Sequence, residues 1–183
     1  LSANNAMNYY LTKELLDGKD NTAPESGYTD MEHKWDEAFG YCLDPKESNG
    51  KIIDILLHKY IVKLGKYDLF EQAFYRGREA IVNKDYVKRD EQATILKGLI
   101  ADVLIQKAKD YVTSARDELF PTTGTHYGLS KRPLRGAVAH DLSEGYGFIY
   151  SLQFIKDVPN KTYSRDLVKS MLNILTDGNG LWD

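Results

Sequence analysis

Cysteine is almost absent from this sequence of 183 residues, in which Cys42 is the one example. A single cysteine excludes an internal disulfide and any zinc site built from several thiolates. Cys42 shares the predicted apolar face of a helix with Trp35, so we expect a buried and unreactive thiol. The absence of disulfides does not identify the compartment, because many exported bacterial proteins also lack them.

Long apolar runs and an excess of one charge are also missing. No run of about eighteen apolar residues is present, so we expect no membrane-spanning segment. The net charge is only -3, and no basic cluster with interleaved aromatic residues occurs, so we expect no nucleic-acid partner. The sequence also lacks the zincin His-Glu-x-x-His motif, the Gly-x-Ser-x-Gly elbow, a phosphate-binding glycine loop and the Glu-x-x-His pairing of ferritin-like di-iron proteins.

The apolar residues that are present recur at helical spacing, and no segment keeps the alternation of a strand. The composition is that of a globular protein, with 42% apolar and 28% charged residues. We predict an all-α fold, an antiparallel bundle of about seven helices in a single domain over residues 1–183. Because the chain begins at Leu1, we expect an upstream signal segment or region, with a possible site for a lipid anchor. The predicted helices cover residues 2–16, 29–42, 51–66, 68–82, 85–119, 134–156 and 164–176.

Two stretches far apart in the chain share the pattern His-x-x-x-Glu-x-aromatic-Gly-aromatic, at residues 33–41 and 140–148. An internal duplication explains this agreement better than chance does. Side chains four residues apart lie on one face of a helix. The pattern therefore places the histidine beside the glutamate in each stretch.

If the two helices face each other, two imidazoles and several carboxylates converge. Such a set suits iron or zinc, and the interior of a helical bundle is a known place for such sites. Two other interpretations stay open: each pair is a buried polar contact that fixes helix packing, or each is an exposed pair worth a few tenths of a kcal/mol. The candidate metal ligands are His33, Asp36, Glu37, His140 and Glu144.

Glycine and tyrosine accompany both stretches. Gly40 and Gly147 each follow the histidine by seven residues, and Gly136 lies on the same stripe of the second helix. A glycine on such a stripe lets another helix approach closely, so we expect close packing at all three. Tyrosines such as Tyr41 and Tyr150 lie near these stripes. A tyrosine there can ligate ferric iron, stack on a sugar or seal the rim of the core.

The stretch 31–41 (Met-Glu-His-Lys-Trp-Asp-Glu-Ala-Phe-Gly-Tyr), together with residues 140–149, resembles a family of bacterial envelope proteins of unknown function. These proteins are often lipoproteins and are distantly similar to the imelysins. The resemblance implies a helical fold from a duplicated bundle, a location in the periplasm or on the outer membrane, and a role in iron acquisition.

The imelysin motif is Gly-x-His-x-x-Glu, and this chain departs from it. Met31 and Val138 stand where the motif has glycine, and Ser143 replaces the second acidic residue. By position, the resemblance carries over only three residues: His33, Asp36 and His140. The remaining two candidate ligands come from helical spacing alone.

Three functions follow from these observations. The first is an exported, non-enzymatic helical protein that binds a metal ion or a small ligand between the two related helices. The second is an imelysin-like metallopeptidase that uses the same residues. The third is a structural or glycan-contacting module, which exposed and clustered tyrosines would favour and buried ones would oppose.

Overall fold

The computed structural model describes residues 2–22, 27–43, 56–119, 132–178 and 181. Every regular element in these ranges is helical, which confirms the predicted all-α fold class. By chain contacts, the residues group into two compact units: 1–103 with 154–162, and 104–153 with 163–183. The α-helices are α1 (Ser2–Asn5), α2 (Lys13–Asp17), α3 (Asp30–Cys42), α4 (Leu56–Lys63), α5 (Tyr67–Val82), α6 (Tyr86–Leu119), α7 (Arg132–Ser151) and α8 (Arg165–Leu175).

Helix α3 begins and ends as its sequence predicts. The Thr29 hydroxyl accepts a hydrogen bond from the Glu32 amide, and the Glu32 carboxylate accepts one from the Thr29 amide. This reciprocal capping box satisfies two amides that the first turn leaves unpaired. Trp35, Ala38 and Cys42 are buried on one side, which confirms the predicted apolar face and the buried thiol. Burial raises the pKa of the Cys42 thiol well above its ordinary value, so the thiol stays protonated.

Helix α5 packs against α3 in the first unit through the face on which its apolar residues recur at helical spacing. Its buried positions are Phe70, Ala73, Phe74, Gly77, Ala80 and Ile81. The Trp35 ring lies directly over Gly77, and its Nε1 donates a hydrogen bond of 2.9 Å to the Phe74 carbonyl oxygen. A side chain at position 77 would collide with this ring, so the absence of a Cβ allows the two helices to approach.

The predicted first helix, 2–16, is interrupted. A π-helical turn covers Ala6–Tyr10, and the Leu11 amide bonds to the Ala6 carbonyl oxygen at 3.0 Å, five residues back. Thr12 then caps α2 through the Leu15 amide. The widened turn rotates the residues that follow it relative to a continuous α-helix. Ala6 and Leu11 are fully buried, so this irregular segment is firmly packed.

A buried arginine joins α2, α3 and α6 within the first unit. Arg89 has no exposed surface and donates hydrogen bonds to Asp17 at 2.6 Å and to Asp90 at 2.6 and 2.8 Å. Its Nη1 also lies 3.4 Å from the Met31 sulfur. Because a buried charge without partners is strongly destabilising, the two aspartates are needed to keep the guanidinium inside. Lys13 bonds to both carboxylates from the solvent side.

The second unit contains the C-terminal part of α6 together with α7 and α8, and α7 packs against α8. Gly145 of α7 is the point of close approach to α6, since a Cβ there would lie 3.1 Å from Val112 Cγ2. A 3-10 turn, Leu152–Phe154, follows α7 in place of the helix predicted as far as residue 156. Ser164 caps α8 through the Leu167 amide, as the sequence predicts.

None of the helices in the described ranges combines the length and the hydrophobicity of a membrane span. The prediction of a single domain over residues 1–183 stays a prediction.

Candidate functional site

The first His-Glu pair lies on the accessible face of α3. His33 Nε2 is 3.7 Å from Glu37 Oε1, and about half of the His33 side chain is exposed (47%). The Tyr28 ring stacks on the imidazole with centroids 5.4 Å apart, which holds the ring in place. The predicted neighbourhood of His33 and Glu37 is therefore present, and the pair belongs to the surface and not to the core.

The second oxygen of Glu37 has a different partner. Glu37 Oε2 accepts a hydrogen bond of 2.6 Å from the Lys34 ammonium, one turn back on α3. This bond is the main cause of the raised pKa of Lys34, so the ammonium stays charged. The Glu37 carboxylate therefore lies between the His33 imidazole and the Lys34 ammonium, with one oxygen near each.

The neighbouring carboxylate, Asp36, is held by an arginine. Arg78 of α5 donates to Asp36 Oδ1 at 3.1 Å, and its Nη1 lies 2.6 Å from Glu32 Oε1. Partial burial raises the pKa of Asp36, and the arginine opposes that shift. This ion pair makes Asp36 the least available of the predicted ligands, because a metal ion would have to displace a guanidinium.

Three tyrosines extend the face beyond Lys34. The Tyr9 and Tyr10 rings of the π-helical turn meet edge to face with centroids 4.8 Å apart, and Tyr10 stacks on Tyr41 of α3 at 5.3 Å. The Lys34 ammonium lies 5.7 Å from the Tyr10 ring centroid. Tyr9 is half exposed (52%), and the other two are half-buried. We call Tyr9, Tyr10 and Tyr41 the tyrosine cluster.

The second His-Glu stretch lies in the other unit. His140 is exposed and Glu144 is half-buried on α7. Within the part of the chain that the structure describes, these two side chains form no ion pair of 4 Å or less. Their presence on one helix is as predicted, but the direct contact seen in the first stretch is not repeated.

The two stretches nevertheless share a pattern of burial and stacking. In both, the histidine is exposed, the glutamate is half-buried and a small residue after it, Ala38 or Gly145, is buried. The final aromatic residue of each stretch stacks on a tyrosine: Tyr41 on Tyr10, and Phe148 on Tyr111 at 5.7 Å. The internal duplication predicted from the two stretches stays a prediction.

The close packing predicted at Gly40, Gly136 and Gly147 stays a prediction, and the described residues show no close contact at these positions. A Cβ built at any of these positions has no heavy atom of another described residue within 4 Å. The three lie on exposed or half-exposed faces, whereas the close approaches occur at Gly77 and Gly145. Helical spacing shows which residues share a face, but an apolar context decides which face packs.

Sequence reasoning did not find the tyrosine cluster or the partners of the carboxylates. The two tyrosines are adjacent in the sequence, but in the continuous helix predicted over residues 2–16 Tyr10 falls at apolar spacing with Met7 and Leu11, which favours a core position. The contact of Lys34 with Glu37 could have been predicted, because a spacing of three residues on a helix brings opposite charges together. Nothing in the sequence signals that Arg78, 42 residues away from Asp36, reaches it.

No group of three or more histidine, cysteine, aspartate or glutamate side chains in a metal-binding arrangement occurs in the described part of the chain. The five predicted ligands are divided between two units, with three on α3 and two on α7. Convergence of the two stretches on one metal ion stays a prediction.

Fold and site together define an all-α domain that presents a polar and aromatic face on α3. The chain belongs to the DUF4856 family, a domain family of unknown function, whose model matches residues 1–183. This match confirms the expectation of an uncharacterised domain family. No curated protein and no solved structure matches the chain significantly.

Proposed function

We propose that this domain is a non-enzymatic binding module of the cell envelope, and that its ligand is a metal ion such as iron or zinc. The observation that carries the proposal is the His33–Glu37 pair. An imidazole nitrogen and a carboxylate oxygen 3.7 Å apart, both reached by solvent, can take part in one coordination sphere.

Two protein ligands hold a metal ion weakly, so the proposal includes the second pair. His140 and Glu144 would raise the number of protein ligands to four, a complete set for zinc. Two features of α3 limit the affinity. The Lys34 ammonium competes for Glu37, and Arg78 competes for Asp36. We therefore assign the main role to the two histidines and Glu37.

The proposal is tested by calorimetric titration of the chelator-treated protein with zinc and, without oxygen, with iron(II). We expect binding in the wild type and a loss of roughly tenfold or more in affinity for His33→Ala and for His140→Ala. His58→Ala is the matched control, because His58 is half-buried on α4 beside Tyr67. Equal affinities in all four proteins, or no binding in any, would contradict the proposal.

The envelope location and the role in iron acquisition rest on the resemblance to envelope lipoproteins. Cell fractionation of the native host tests the location, and growth of a deletion strain under iron limitation tests the role. Recovery of the protein in the cytoplasmic fraction would refute the envelope assignment.

No observation on the described residues favours the peptidase alternative. Chelator-sensitive cleavage of an unfolded protein substrate would be the evidence in its favour.

A further inference from the structure

We propose that the tyrosine cluster is a carbohydrate-binding site that takes a neutral sugar ring. This site adjoins the His33–Glu37 pair but does not depend on metal binding. Tyr9 is 52% exposed and has no place in the core, and its edge meets Tyr10, which in turn stacks on Tyr41. Aromatic surface left in water beside further aromatic surface is typical of a binding site.

Charge balance argues for a neutral ligand. Lys34 and Glu37 flank the cluster and neutralise each other through a bond of 2.6 Å. The Lys34 ammonium also lies near the Tyr10 ring, so the place that a cationic ligand would take is already occupied by a cation of the protein. An anionic ligand would meet Glu37. A neutral ring with hydroxyl groups meets no net charge and finds both a donor and an acceptor.

The hydroxyl of Tyr10 adds a further hydrogen-bonding group. Burial first, then the nearby Glu37 carboxylate and a hydrogen bond with Tyr41, raise the pKa of Tyr10, so this hydroxyl stays protonated within a polar margin that it shares with Tyr41. Rings that stack and polar groups at their margin together match a pyranose, which has apolar C–H faces and a rim of hydroxyls.

The support beneath the cluster is rigid. Ala6 and Met7 within the π-helical turn, and Leu11 directly after it, are between 0% and 1% exposed. A π-helical turn is often found at functional sites, and here it places Tyr10 against Tyr41 of α3 and leaves Tyr9 beside them at the surface. Rings held by packed backbone lose little freedom on binding, which favours affinity.

The equivalent stack in the other unit differs. Tyr111 and Phe148 also stack, but Lys107, whose ammonium lies 4.7 Å from the Tyr111 ring centroid, is only 3% exposed. That stack is part of the packing between helices. The exposed Tyr9 and the only half-buried Lys34 distinguish the tyrosine cluster from its counterpart, so we assign sugar binding to the first unit alone.

Affinity electrophoresis tests this assignment. The full chain is run through gels that contain soluble glucan, mannan, xylan or galactan, with alginate as the anionic comparison. We expect retardation by at least one neutral polysaccharide and none by alginate. Tyr9→Ala and Tyr41→Ala should each weaken that retardation by roughly tenfold. Tyr75→Ala is the matched control, because Tyr75 is an exposed tyrosine (61%) on α5 outside the cluster.

Melting curves identify any variant that fails to fold. Because Tyr9 is exposed, Tyr9→Ala should disturb folding less than Tyr41→Ala. Binding to the sugar should survive in His33→Ala, and zinc binding should survive in Tyr9→Ala, which separates the two proposals. The assignment is overturned if no neutral polysaccharide retards the protein, if alginate alone does so, or if folded Tyr9→Ala and Tyr41→Ala proteins run like the wild type.

Discussion

Substitution of Gly77 by alanine tests the packing of α3 on α5. An ideal Cβ at this position would lie 1.9 Å from Trp35 Cζ2 and 2.5 Å from Cη2, where carbon atoms normally stay roughly 3.5–4.0 Å apart. The ring must therefore shift by roughly 1.5 Å. It cannot do so freely, because it is buried and its Nε1 is bonded to the Phe74 carbonyl oxygen.

The expected loss follows from these contacts. Overpacking of a core costs about 1–3 kcal/mol, and an unmade hydrogen bond at a buried Nε1 costs about the same. Alanine regains about 1 kcal/mol of helix propensity. We expect a net loss of about 2–4 kcal/mol in the free energy of unfolding, or roughly 4–16 °C in Tm.

Urea unfolding followed by circular dichroism measures this loss. Gly147→Ala on α7 is the matched control, since its Cβ enters open space and should leave stability unchanged or raise it by up to about 1 kcal/mol. If Gly77→Ala and Gly147→Ala unfold at the same urea concentration, the close approach at Trp35 is refuted.

Three further predictions concern the buried polar groups and the thiol. Burial alone would raise the pKa of Glu32, but the Thr29 amide and Arg78 outweigh it and hold the pKa below its usual 4.5. The ionised carboxylate therefore contributes stability that is fully present above pH 4.5 and is lost as the pH falls through the lower folded-state pKa. In urea unfolding, the difference in the free energy of unfolding between wild type and Glu32→Gln should be largest at about pH 7 and should decrease towards about pH 3. Arg89→Ala should destabilise the protein by about 2–4 kcal/mol. Lys13→Ala, at the exposed end of the same network, should leave the free energy of unfolding nearly unchanged, and similar losses in the two variants would contradict the role given to burial. Cys42 should react with a thiol reagent only at the rate of unfolding, and fast labelling of the native protein would contradict its burial.

Much of the fold follows from short-range patterns in the sequence. The bounds and the inner face of α3 follow from the capping residues and from apolar residues at helical spacing, and both are as expected. The buried face of α5 is likewise the one that its spacing predicts. These elements are predictable because caps and amphipathic faces act within a few residues of each other.

The site depends on contacts that spacing cannot show. The π-helical turn at Ala6–Tyr10 changes the direction of two tyrosines, and no local rule for this sequence indicates an insertion into the helix. Arg78 reaches Asp36 only because α5 packs on α3. Spacing also does not show that the close approach of α7 to α6 falls at Gly145.

The central claim is that the two His-Glu stretches serve one metal ion. Its most direct test is the metal content of the full chain, purified without a chelator or an affinity tag, beside a His33→Ala/His140→Ala double variant. We predict one iron or zinc ion per chain in the wild type and none in the folded double variant. The same metal content in both proteins, or no metal in either together with a lower Tm of the variant, would contradict the claim and leave the pairs as packing contacts.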